Sequence, residues 1–158
     1  MRRPFQIRFA RILRVISACI AIVSATSVVK AQQCDIAINS PKPGDSVGAT
    51  GSVEGKATIP AAGHLWVLSH RAGLGEWWPQ GQGQASVTDG AWVITAYYGQ
   101  DRDVGSKFEI AAVVVGDTEN QRLDKWVTDA PGKGYPGTKF PGTLEGCPLR
   151  KVTVHKTE

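Results

Sequence analysis

Lys107-Phe-Glu-Ile-Ala-Ala-Val-Val-Val115 is the stretch whose pattern decides the fold. Successive side chains of an extended strand point to opposite faces, and here apolar residues occupy both. A strand tolerates that only when a layer covers it on each side, so the run is expected at the centre of a sheet. Working outward, His64-Leu-Trp-Val-Leu-Ser-His70 has the same two-sided character and is rich in branched and aromatic residues, which predicts a second central strand. Between them, residues 84–88 and 91–98 flank Asp89-Gly90, the strongest hairpin signal in the chain, because a two-residue hairpin turn needs residues that accept positive φ.

Farther out, Cys34-Asp-Ile-Ala-Ile-Asn39 alternates with period two and stops at Ser40-Pro41-Lys42-Pro43-Gly44-Asp45, where two prolines remove ladder donors. Residues 47–59 form a further β-prone run in which Gly48, Gly51 and Gly55 mark bends or bulges. Leu149-Arg-Lys-Val-Thr-Val-His155 alternates cleanly and is the last run. One segment departs from this pattern. Leu123, Trp126 and Val127 recur at helical spacing behind Glu119, and Asp117 is placed to cap them, which predicts a short helix over residues 118–128. Residues 130–142 contain Pro131, Pro136, Pro141 and four glycines and are read as loop. Gly134-Tyr-Pro-Gly137 and Lys139-Phe-Pro-Gly142 echo one another, but two copies so close together do not make a solenoid.

Short strands at close spacing between turn signals define an all-β chain of the antiparallel sandwich or barrel kind. Ile38-Asn-Ser-Pro-Lys-Pro-Gly44 followed by Val53-Glu-Gly55 resembles the opening of the immunoglobulin-like and fibronectin-III-like modules of exported bacterial proteins. The resemblance implies an antiparallel immunoglobulin-like β-sandwich of about seven strands, with the one short helix inserted before the last strand, and a binding or structural role. The chain departs from antibody domains in placing its cysteines at the two ends and not on mid-domain strands around a tryptophan.

The charge of the chain is unevenly distributed. Residues 1–31 carry six of the 18 basic residues and none of the 14 acidic ones, so residues 32–158 hold 12 basic and 14 acidic groups, a net −2 against +4 for the whole. A basic character confined to the leader excludes nucleic acid as the expected partner. Arg2, Arg3, Arg8, Arg11 and Arg14 precede an apolar run over residues 15–29, and Val29-Lys30-Ala31 closes it with a small residue, which reads as a cleavable signal peptide over residues 1–31. The run is shorter than the roughly 20 residues that span a bilayer, so no anchor is expected after cleavage. Cys19 stands at the start of the apolar run, where a lipoprotein signal does not place it. Arg2-Arg3-Pro4-Phe5 resembles a twin-arginine signal but continues with Gln6 and Ile7, so the general export route is expected, with Ala25 as an alternative cleavage point. A periplasmic or secreted domain over residues 32–158 follows. Its two cysteines, Cys34 and Cys147, are expected to form a disulfide joining the ends of the domain.

The catalytic patterns sought are not found. His64 and His70 share a strand face but stand roughly 20 Å apart at about 3.3 Å per residue, too far for one metal ion. Asp101-Arg-Asp103 has carboxylates at calcium-loop spacing without the later bidentate glutamate, and reads as a solvated turn. Neither a nucleophile elbow, nor a zinc-binding helix, nor a phosphate-cradling loop is present. No cofactor, metal or catalytic residue is assigned, and a hydrolase of unrecognised type is kept only as a residual reading.

Tryptophan is the unusual feature. Trp66, Trp92 and Trp126 lie on apolar strand or helix patterns and are expected in the core, whereas Trp77-Trp78 sits in a glycine-rich loop over residues 73–83. Extended backbone sends adjacent side chains to opposite sides, so one of the pair is expected inside and the other outside. The competing reading has both rings covering the core edge. Loops on a rigid sandwich carry binding residues, and Trp77 or Trp78 is the candidate anchor, with Arg71, Gln80 and Gln82 as orienting polar groups. The expected function is a non-catalytic exported module that recognises a protein or a cell-envelope component. The alternative is a carbohydrate-binding module using Trp77 and Trp78 as a stacking platform.

Overall fold

The computed structural model describes residues 33–158, and the leader reading for residues 1–31 lies outside the described residues. The chain order is β1 (Asp35–Ser40), β2 (Ser46–Val47), β3 (Thr50–Thr58), β4 (His64–Arg71), β5 (Trp78–Pro79), β6 (Ala91–Tyr97), β7 (Lys107–Val115), α1 (Asp117–Asp129) and β8 (Arg150–Lys156). One sheet has the order β1-β3-β6 and the other β2-β8-β7-β4-β5. The described residues are mostly β, with one α-helix, α1, packed on the larger sheet.

The two-sided pattern of β7 has a direct structural cause. The strand is central in the larger sheet, paired antiparallel with β4 on one side and β8 on the other. Phe108, Ile110, Ala112 and Val114 join the core between the sheets, together with Ile36, Val53, Trp92 and Ile94 of the smaller sheet and Leu65, Val67, Val152 and Val154 of the larger. Ala111, Val113 and Val115 face the other way, into a second cluster with Trp66, Leu68, Trp77 and Leu123. The helix thus supplies the third layer through Leu123 and Val127, at the spacing that places two side chains on one helix face.

Several expectations need correction. Residues 84–88 do not form a strand. The Asp89-Gly90 turn does form, with positive φ at both residues (52° and 76°) and reciprocal 2.9 Å bonds between Thr88 and Ala91, but the pairing ends there. Gly81, Gln82 and Gly83 all have positive φ, and the backbone N–H of Ala85 donates to Leu65, which draws the segment toward β4. The run over 47–59 splits at Gly48: β2 pairs with β8, and β3 pairs with β1 and β6. Because the β2–β8 pair is parallel, the larger sheet is mixed and not wholly antiparallel. The N-cap of α1 is Gly116, and Asp117 is the first helical residue. Its carboxylate accepts from His64 Nε2 at 2.9 Å while still lying in the first turn, where the helix dipole favours negative charge. Trp126 is half-buried, because Leu123 and Val127 take the sheet-facing positions.

Cys34 and Cys147 form a disulfide across 113 positions of sequence. Closing a loop of that length stabilises the fold by about 5 kcal/mol in the chain-entropy account. Arg150 adds to the same junction, donating from Nε to the Ile36 carbonyl at 2.8 Å.

Candidate functional site

The loop around Trp77 and Trp78 is held by the segment after α1. Trp77 and Thr138 exchange backbone hydrogen bonds of 2.8 and 2.9 Å, and Trp78–Pro79 forms the edge strand β5 against Leu68 and Ser69. Trp77 is 6% exposed. Its indole stacks on His70 with centroids 3.8 Å apart and meets Phe140 edge-on at 4.8 Å. Lys151 Nζ lies 4.8 Å from the Trp77 ring centroid, a cation–π contact. His70 Nε2 in turn bonds Glu109 Oε2 at 2.7 Å, which fixes the ring under Trp77. Trp78 is half-buried, and its indole N–H donates to the carbonyl of Tyr135 at 2.9 Å.

The five residues singled out in sequence are not brought into one constellation. Gln80 is buried, donating to the Trp78 carbonyl and accepting from the Tyr97 N–H, both at 2.8 Å, so its amide bridges β5 and β6. Gln82 is exposed at the loop tip. Arg71 donates to Asp103 Oδ1 at 3.1 Å, at the other end of the loop. There, Arg71, Ala72, Gly73, Leu74, Ser106 and Lys107 surround an open depression of about 430 Å³ with no aromatic ring in its lining.

A smaller groove, of about 180 Å³, runs between α1 and the segment that follows it. Trp126 and Pro136 supply its apolar part, and Arg122, Lys125, Asp129 and Lys133 its charge. The Trp126 indole N–H donates to the Pro136 carbonyl at 2.9 Å, so the indoles of Trp126 and Trp78 are tied to consecutive carbonyls of one loop. Tyr135 stands beside them, 58% exposed, with its ring centroid 6.5 Å from that of Trp126. The loop can present these carbonyls because Gly134 and Tyr135 both adopt positive φ (71° and 56°) as the chain leaves the helix, while Tyr135 N–H bonds back to the Ala130 carbonyl. Lys125 and Lys133 both donate to Asp129 Oδ2, at 3.0 and 2.9 Å. The bond from Lys133, and then that from Lys125, holds the Asp129 carboxyl below the usual carboxylate range.

Sequence reasoning assigned Trp126 to the core and passed over Tyr135, Lys125 and Lys133. The available signal was Gly134-Tyr-Pro-Gly137, in which a glycine before an aromatic residue permits the left-handed turn. Elsewhere, His64 lies between two acceptors, Gln84 Oε1 at 2.8 Å and Asp117 Oδ1 at 2.9 Å. The bond to Asp117 is the main cause of its raised pKa. Among the described residues no group of three or more His, Cys, Asp or Glu could hold a metal ion, and no helix is long and apolar enough to cross a membrane. No protein-family model and no curated protein matches the chain.

Proposed function

We propose that the protein is a non-catalytic exported binding module of the immunoglobulin-like kind, recognising a component of the cell envelope through the groove between α1 and the loop that follows it. One observation carries the reading: the indole N–H groups of Trp78 and Trp126 are pinned to the adjacent carbonyls of Tyr135 and Pro136. Aromatic rings fixed before a ligand arrives lose little freedom on binding, and contact energy concentrates in a few such anchors. The Cys34–Cys147 disulfide supports an oxidising compartment, and two packed sheets support the immunoglobulin-like assignment.

A glycan is the second reading for the bound component, favoured over a broad protein face by the size of the groove. Ligand sites that enclose a drug-sized molecule measure about 300–1,000 Å³. A groove of about 180 Å³ takes a single ring or a terminal group. Of the stacking pair foreseen, Trp77 is covered by His70 and Phe140, and in this reading Trp78 keeps the role together with Trp126 and Tyr135. The test is cosedimentation with envelope fractions and capture of envelope proteins. Trp126→Ala and Tyr135→Ala are expected to lose capture, and Tyr97→Ala, which removes an equally exposed ring from the smaller sheet, to retain it. Capture that survives both Trp126→Ala, in the groove lining, and Tyr135→Ala, beside it, would overturn the reading.

A further inference from the structure

Resting on the groove as the contact surface, we propose that its ligand is a saccharide ring bearing an acidic substituent, with Trp126 meeting the ring and the Lys125–Lys133 pair meeting the acid. Trp126 and Pro136 supply the apolar part of the lining, and the hydrogen bond from the indole N–H to the Pro136 carbonyl holds the ring in place. An aromatic ring so held suits the C–H face of a pyranose ring and gives a bare anion nothing to stack on.

Charge identifies the rest of the ligand. Arg122, although cationic and in the lining, is already spent: Nε and Nη2 hold Glu119 at 2.9 and 2.8 Å, and Nη1 holds Thr138 Oγ1 at 2.8 Å. Lys125 and Lys133 are different. Their side chains are 76% and 62% exposed, and each gives Asp129 one bond. An ammonium has three donors, so among the described residues two on each lysine have no protein acceptor. Because both bonds end on the same Oδ2 atom, the two nitrogens stay within about 6 Å of each other. Counted with their ion-pair partners, the lining cations Arg122, Lys125 and Lys133 face the carboxylates of Glu119 and Asp129, which leaves the groove with a net positive charge. An acidic group on the ligand meets that positive charge, and a neutral glycan gains nothing from it.

The experiment uses the oxidised protein and follows the indole N–H resonances of Trp126 and Trp78. The probes are fragments of polygalacturonate, alginate and hyaluronan, each beside its carboxyl-esterified form. The acidic forms are expected to shift the Trp126 signal, with the esters roughly tenfold weaker or worse, since a close charge pair is lost. Added salt should weaken the acidic forms selectively, because both lysines are solvent-exposed. Lys125→Gln combined with Lys133→Gln should erase the difference between acid and ester without changing the melting transition, and Trp126→Ala should abolish binding of both. Esters that bind as tightly as acids would overturn the proposal, as would a double variant that still prefers acids, or inorganic phosphate producing the same shifts. So would no response to any acidic glycan. In that last case, envelope capture that still depends on Trp126 would leave the proposed function standing with a protein or neutral partner, whereas capture independent of the groove would remove both.

Discussion

Replacing Trp77 and Trp78 by alanine, one at a time, should produce very different losses of stability although the residues are adjacent. A tryptophan buries about 150–250 Å². At about 25 cal/mol per Å², full removal from the interior costs several kcal/mol, of which the residual alanine and local relaxation recover part, leaving about 3–5 kcal/mol. Trp77, at 6% exposure, should show that full cost, together with loss of its stack on His70 at 3.8 Å. Trp78 is half-buried and its side chain makes one hydrogen bond, to the Tyr135 carbonyl, so Trp78→Ala should cost less than half as much. For a domain of this size a loss of 3–5 kcal/mol lowers the melting temperature by about 10–20 °C. Urea unfolding gives the free energies directly. A double-mutant cycle of Trp77→Ala with His70→Ala should return a coupling of about 0.5–1.5 kcal/mol for the stacked pair. Equal losses from the two tryptophans, or a coupling of zero, would refute the assignment of Trp77 to the second core.

Three further expectations are open to simple measurement. Replacing Cys34 or Cys147 by alanine should cost about 2–5 kcal/mol without altering the circular dichroism of the sheets, and recovery of two alkylatable thiols from native protein would show that the bridge is absent. Val114→Asp should fail to give soluble, cooperatively melting protein, since it puts an unpaired charge into the core between the sheets; Val93→Asp, on an exposed position of β6, should be tolerated. The raised pKa of His64 means that the protonated ring is bound more tightly in the folded state, so its contribution is complete below the unfolded value of about 6.5 and fades as pH rises through the folded value. Urea midpoints across that window should fall with pH in the wild type more than in His64→Gln, and parallel profiles would exclude the role of Asp117.

Features set by local pattern were legible in the sequence, and features set by distant pairing were not. β7 was readable because burial on both faces leaves a run of apolar residues that no solvent-facing strand carries. The helix was readable from Leu123 and Val127, although its N-cap is Gly116 and the Asp117 carboxylate, expected to cap, bonds His64 from the first turn. Turn chemistry at Asp89-Gly90 predicted the turn itself and nothing about what precedes it, because Ala85 is drawn to Leu65 by a contact with no local signature. The candidate site suffered most from this. The Trp77–Thr138 pairing brings together two loops that the sequence separates by four elements, and Trp126 matched a core pattern, with Leu123 and Val127, in which it alone faces a neighbouring loop.

The amide of Gln80 has a consequence for how the protein behaves at high concentration. β6 is an outer strand of the smaller sheet, and a free strand edge is a template on which a second molecule can add its own chain. At Tyr97 both edge groups are already taken, the N–H by Gln80 Oε1 and the carbonyl by the Ser69 hydroxyl. An intermolecular strand arriving at that end of β6 would have to displace a buried side chain before forming its first bond. Self-association by edge pairing is opposed there by two buried, uncharged side chains, Gln80 and Ser69.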